Sequence, residues 1–410
     1  MPKTLIFSDQ YPSGRVLSFI FSPYIVILLS GIGIFLASLF SKRIPRFNLT
    51  LLFLMITVLL IIISAQQSLY FPAYAMIYAF CEFGWISLII LFINHFKSVG
   101  VKRRQELFLS LFFHLSLTLL FISSLVFVQL VKRSPLGLTI ESTGVAPLFG
   151  AAADESTLVF RPMGLSPHAN MMASELFILW ICLVVIYFSF LNKIRLGRLV
   201  NSIFVIATIF SLLAIIFSQC RSVYISTIVF LVLLLVLDYQ FISKWIKLTW
   251  FRFSRFGFIG FVLVLIGGFV ITNRAWYSLY SFTETGGFII REELNREAIS
   301  LLKKYPVLGV GKGMFIPALA ANNPTGVVSK FPEAVHNGFL LFVVESGVLA
   351  QGASLFFLFL LVRNLFYRQI SASLKKVMAA GLIAQIIPMF FQPFINYWTV
   401  YTIIILILLV

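Results

Sequence analysis

The chain has 410 residues, 60% of them hydrophobic and 11% charged, with a formal net charge of +17. A soluble globular domain carries about 45–50% apolar and about 25% charged residues, so this composition excludes a fold covered by its own polar surface. The alternative solvent is a bilayer, whose spanning elements are helices of about 20 mostly apolar residues.

The positive charge does not point to nucleic acid, because the basic residues sit in short links between apolar runs. The expectation is one integral membrane domain over residues 1–410, all-α and polytopic, with no nucleic-acid partner and with membrane lipid around it. Met1–Arg15 is too polar for a signal peptide. Spans are expected at 18–40, 49–66, 72–95, 107–131, 169–191, 199–217, 223–240, 256–273, 337–362, 377–391 and 397–410. That makes eleven, and a reentrant N-terminal piece or a further helix would make the number even. Cys81 and Cys182 fall inside spans and Cys220 beside a helix end, so no disulfide is expected.

The links alternate in charge. Those at 41–48, 96–106, 192–198, 241–255 and 363–376 carry 18 of the 31 basic residues, whereas 67–71 and 392–396 carry none. Short basic links stay in the cytoplasm, which puts the long loops 132–168 and 274–336 on the outer face. The first of these ends in Arg161-Pro162-Met163-Gly164-Leu165-Ser166-Pro167-His168-Ala169-Asn170, directly before a span. The second holds seven basic and five acidic residues and His336. Within it, Ile290, Leu294, Ala298 and Leu301 recur at helical spacing and predict an amphipathic helix over 288–304. That helix would rest on the membrane or pack over the bundle as a lid. Pro306 ends it, and Gly309-Val310-Gly311-Lys312-Gly313 makes a turn. This run lacks the spacing of a phosphate loop.

Ionisable residues at the outer helix ends are the candidates for chemistry. His336 stands where the loop meets a helix and can take a proton near neutrality; it reads equally as a histidine bonded to a neighbouring backbone group. Arg221, in Ser218-Gln219-Cys220-Arg221-Ser222, interrupts an apolar run of about forty residues. It either snorkels to lipid phosphate or faces a cavity as an anion clamp, its donor fork suiting phosphate oxygens. Arg291 falls in the first turn of the loop helix, where backbone N–H groups favour anions, or it is a solvated charge paired with Glu292 or Asn295. Arg161, His168 and Asn170 flank another helix entrance as possible substrate-binding residues, and Asn337 joins them beside His336. Lys303, Lys304 and Lys312 read as solvated. No His, Cys, Asp or Glu cluster has metal-ligand spacing, so neither a metal nor a cofactor is expected.

Arg291 opening a helix, then Tyr305-Pro306-Val307-Leu308-Gly309-Val310-Gly311, then His336-Asn337-Gly338-Phe339-Leu340 and Glu345-Ser346-Gly347, resembles the O-antigen ligase and polymerase family of bacterial envelope glycosyltransferases. Arg221 in its Ser-rich turn and the stretch from Arg161 to Asn170 fit the same pattern. The resemblance covers roughly residues 160–362 by motif. It implies a GT-C-like fold of about twelve helices with a partly helical periplasmic loop in the bacterial inner membrane. It implies inverting, metal-independent transfer of a glycan from undecaprenyl diphosphate to a sugar hydroxyl. Arg221 and Arg291 would bind the diphosphate and His336 would be the base. The acceptor would be lipid A–core in a ligase or a second lipid-linked glycan in a polymerase. A transporter or flippase is the alternative of another class, but Glu82, Glu175 and Glu345, the few acids assigned to spans, show no basic partner in the sequence, and the polar residues concentrate outside the lipid. A purely structural scaffold would leave the arginines and histidine without a reason to converge.

Overall fold

The structure is a computed structural model that describes residues 5–10, 16–20, 49–69, 71–137, 161–166, 169–190, 198–218, 220–237, 286–330, 334–367 and 372–391. The predicted spans at 256–273 and 397–410, most of the one at 18–40, and His168 lie outside them. Strands β1 (Leu5–Gln10) and β2 (Val16–Ile20) pair antiparallel. Val16 to Ile20 is therefore extended where a span was expected to begin at 18, in keeping with its branched and aromatic residues.

The rest is helical: α1 (Leu49–Gln66), α2 (Pro72–Ser98), α3 (Val101–Lys132), α4 (Ala169–Phe190), α5 (Arg198–Ser218), α6 (Arg221–Leu237), α7 (Gly286–Lys304), α8 (Phe315–Asn322), α9 (Val327–Lys330), α10 (Gly338–Tyr367) and α11 (Ala372–Phe391). Five helices among the described residues are long and apolar enough to cross a membrane, namely those within α3, α4, α5, α10 and α11, and two shorter apolar ones lie in α1 and α6. The molecule is an all-α polytopic membrane protein with one small hairpin near its start.

Two basic links are shorter than predicted. The expected loop 96–106 shrinks to Val99 and Gly100, and the expected loop 363–376 gives up 363–367 to one helix and 372–376 to the next. Lys, Arg, Gln and Glu are good helix formers, so the helices run on through them. Arg104 Nε donates to the Val99 carbonyl at 3.0 Å and Lys375 Nζ to that of Phe366 at 2.6 Å. Cations thus satisfy carbonyls where each helix breaks.

The membrane core is built around α4, which packs on α3, α5 and α11. Its Phe177, Trp180 and Tyr187 are fully buried. Tyr187 stacks on Phe204 of α5 with ring centroids 4.0 Å apart, and Trp180 meets Phe230 of α6 edge-on at 5.5 Å. Facing outward, Leu117, Phe121, Val128, Ile209, Val236 and Phe359 are exposed, an apolar surface suited to lipid.

A second core lies at one end of the bundle. There Leu294, Ala298 and Leu301 of α7, Phe315, Ala318 and Leu319 of α8 and Val327 and Val328 of α9 are buried. They pack with Ile61 and Ala65 of α1, Tyr74, Ala75 and Ala79 of α2 and Leu341, Phe342 and Val344 of α10. The predicted apolar stripe of α7 is therefore spent on protein, and α7 covers the bundle.

What ties this layer down is a break inside α10. Gly347 has φ 80 and ψ 169, outside helical values. The groups it releases find partners in the connector between α7 and α8: Val310 N–H donates to the Val344 carbonyl and Gly311 N–H to that of Glu345, each at 2.9 Å, and Val348 N–H donates to the Pro306 carbonyl at 2.9 Å. Ser64 Oγ of α1 also reaches the Glu345 carbonyl, at 2.9 Å. Helix breaks at membrane depth persist where protein satisfies the backbone again. The approach is so close that a β-carbon on Gly347 would overlap the Val307 carbonyl, and one on Gly309 would meet the carbonyls of Val344 and Glu345. The stretch from Val348 to Tyr367 is about 30 Å of helix at about 1.5 Å per residue, a full bilayer core. The expected span at 337–362 thus splits at Gly347 into a part covered by this layer and a longer apolar part that runs on to Tyr367.

Candidate functional site

The end of α3, the start of α4, the end of α5 and the start of α6 are stitched together around Arg161. Gln129 of α3 holds the loop before α4: its Oε1 accepts from Met163 and Gly164 N–H at 2.9 and 2.8 Å, and its Nε2 donates to the Gly164 carbonyl at 2.9 Å. Ser166 Oγ donates to Glu175 Oε2 of α4 at 2.6 Å. The loop so fixed presents Arg161, itself buried. Its Nε donates to the Ser218 carbonyl at the end of α5 at 2.9 Å, and its Nη2 to Asn170 Oδ1 at 2.7 Å. A cation there suits the negative end of the α5 dipole. Arg161 and Asn170, expected as possible substrate-binding residues, are in contact with each other.

The same turn delivers Arg221. Ser218 Oγ donates to the Ile215 carbonyl at 2.6 Å and accepts from Cys220 N–H at 3.2 Å. Cys220 is buried, with Sγ 3.4 Å from Ser222 Oγ, and Tyr224 donates from its hydroxyl to the Ile216 carbonyl. Arg221 then opens α6, ahead of the apolar run that starts at Val223. Its side chain is open to solvent but lies against enough protein to lose part of its hydration. That partial burial, and next the charge of Arg291, pull its guanidinium below the ordinary arginine pKa, with Cys220 acting in the opposite sense. The two arginines, 70 positions apart in the sequence, therefore stand close enough to feel one another's charge.

Arg291 is half-buried on α7. The helix begins at Gly286, earlier than the predicted 288, because Gly286 and Gly287 join it. Arg291 consequently sits in the second turn, beyond the first four free N–H groups, and the expected help from the helix N-terminus falls away. Glu292, one of its expected partners, pairs with Arg296 at 2.6 Å on the exposed side.

His336 is half-buried just before α10. The buried Val335 anchors it from one side. On the other, Asn337 Oδ1 accepts from Leu340 N–H at 3.1 Å and its carbonyl from Leu341 N–H at 2.8 Å. Asn337 is thus the N-cap of α10 through its Oδ1. Phe339 packs on Phe390 of α11, ring centroids 5.1 Å apart. α7 packs directly on α10, so the helix bearing Arg291 touches the helix that begins two residues after His336.

Lys312 and Glu345 depart from the sequence reading. Lys312 is not solvated, and Glu345 does have a basic partner: Lys312 Nζ lies 3.6 Å from Glu345 Oε2. Nothing local in the sequence announces a pair 33 positions apart. Gln129 and Ser64 also escaped notice; their only signal was polarity at the end of an apolar run. Lys303 and Lys304 are exposed as expected, Lys304 reaching Asn322 Oδ1 at 3.1 Å.

The fold and site together define a multi-pass membrane protein with a cationic site at one end of its helix bundle, roofed by a helical layer. A family model described as O-antigen ligase matches residues 206–357, the stretch from mid-α5 to mid-α10 that contains Arg221, Arg291, His336 and Asn337. This stretch, 152 of the 410 residues, is similar to the O-antigen ligase family, whose members are glycosyltransferase-like ligases and polymerases. The chain shows no significant match to a curated protein or to a solved structure.

Proposed function

We propose that this protein is an O-antigen ligase-like glycosyltransferase of the bacterial inner membrane, acting at the outer face. It would move a glycan from undecaprenyl diphosphate to a sugar hydroxyl of lipid A–core. The observation that carries the reading is that Arg221 and Arg291, on different helices, stand near enough for each charge to act on the other. Two neighbouring cations suit a dianionic leaving group. In the proposed step the acceptor oxygen attacks the anomeric carbon of the donor. The bond from that carbon to the phosphate oxygen breaks, and the lipid diphosphate leaves with the electron pair. Arg221 and Arg291 stabilise the charge as it develops. His336 takes the proton of the acceptor hydroxyl. Attack from the face opposite the leaving group inverts the anomeric centre.

The test is reconstitution with an undecaprenyl-diphosphate glycan and either lipid A–core or a second donor molecule. Extension of lipid A–core supports the ligase. Extension of the donor instead assigns the polymerase, and no transfer to either removes the reading. His336→Ala should lower turnover about 10²–10⁴-fold and Arg291→Ala about 10²–10³-fold, with expression retained. Near-native turnover in both would reject these site assignments. Arg291→Lys should also be impaired, because a point charge does not reproduce the planar donor fork.

A further inference from the structure

We infer that Lys312 and Glu345 form a latch that sets how the roofing layer docks on α10, and that they are positioning residues for the site proposed above. The inference rests on that functional reading for its catalytic consequence and on the structure alone for the latch.

Lys312 and Glu345 come from opposite sides of the junction. Lys312 lies in the connector between α7 and α8, and Glu345 lies in α10 two residues before the break at Gly347. Their side chains are 16% and 6% exposed, so neither charge is hydrated enough to stand alone. Besides Lys312, the Glu345 carboxylate accepts the backbone N–H groups of Gly313 and Phe315. Phe315 opens α8, so the carboxylate also sits at the positive end of that helix. Lys312 Nζ lies 5.7 Å from the centre of the Phe342 ring of α10, a cation–π distance. Ser68 Oγ of the α1 end donates to the Val310 carbonyl at 2.6 Å. The connector is thereby gripped from three sides while it satisfies the broken backbone of α10.

The backbone contacts alone would hold the connector against α10. The buried pair adds a register: slipping the connector by one residue would part the charges and leave both without hydration. Glu345 lies seven residues after Gly338, the start of α10, about 10 Å along the helix at about 1.5 Å per residue, and His336 stands two residues before that start. Tyr305 and Pro306 join the connector directly to the end of α7, which carries Arg291. The latch therefore fixes the helix that begins just after the base against the helix bearing one of the anion-binding arginines. Small misplacements of reacting groups cost about a hundredfold in rate.

The experiment uses the full chain in lipid nanodiscs, with Lys312→Met, Glu345→Gln, the double variant and Lys312→Arg. Hydrogen–deuterium exchange over residues 305–322 and steady-state transfer kinetics are read on each. Each neutralising single variant should speed exchange at 309–315 and lower kcat about a hundredfold, with KM changed less than about threefold. The double variant buries no uncompensated charge and should regain kcat to within about tenfold of native. Lys312→Arg should keep native protection. Single variants with native exchange and kcat would overturn the latch, as would a double variant whose losses equal the product of the singles, since independent sites combine that way. Should a single variant fail to fold, the double variant and Lys312→Arg still decide between coupling and independence. A native protein that transfers no glycan defeats the functional reading, and the exchange data then judge the latch by themselves.

Discussion

Arg161 shows how much a single planar group arranges here. It crosses from the loop before α4 to the last carbonyl of α5 and to Asn170, and the turn it holds is the one that delivers Arg221. Arg161→Met should remove two charge-assisted hydrogen bonds, at about 1.5–3 kcal/mol each, and should lower the thermal midpoint of the purified protein. Arg161→Lys should recover only part of this, because an ammonium does not reach two acceptors in one plane. Turnover should fall in both variants through displacement of Arg221; native turnover in the methionine variant would show that the turn holds its shape without the arginine. At this scale the sequence singled out Arg221, Arg291 and His336, since ionisable groups stand out in an apolar chain. It misread Lys312, whose partner is distant in sequence, and it did not foresee that Asn337 caps α10.

The elements carry a different lesson. Hydropathy located the cores of the described membrane helices, because the bilayer imposes a length on each apolar run. It missed where helices continue and where they break. Both outcomes depend on partners outside the run: basic residues extended α2, α3, α10 and α11 beyond the expected links, and Gly347 interrupts α10 because the connector meets the freed backbone groups. A glycine within an apolar segment is a cue to such a break, but the sequence does not say what will fill it. The position is unforgiving. Gly347→Ala should place a side chain at positive φ against the Val307 carbonyl, and fluorescence size-exclusion of the tagged variant should show aggregation or lost expression. Gly352→Ala, on the same helix with open space around its Cβ position, should behave as native. Equal behaviour of the two would argue against the break.

For the whole molecule, the alternation of charge makes a testable map. Eighteen basic residues fall in links that the charge alternation assigns to one side, and the roofing layer packs on the link between α1 and α2, which has none. In a cysteine-free background, a cysteine at the exposed Asn322 should react with an impermeant maleimide added to intact cells stripped of their outer membrane. One at the exposed Lys376 should react only after permeabilisation. The reverse pattern would invert the assigned orientation.

The broken helix also dictates how the roof can move. Three backbone groups of α10 have their hydrogen-bond partners in the connector. Stripping them where water is scarce would cost several kcal/mol for each group left bare. That end of the roof is consequently a fixed hinge, and any swing of the roof has to be widest at the opposite end, where α7 begins at Gly286.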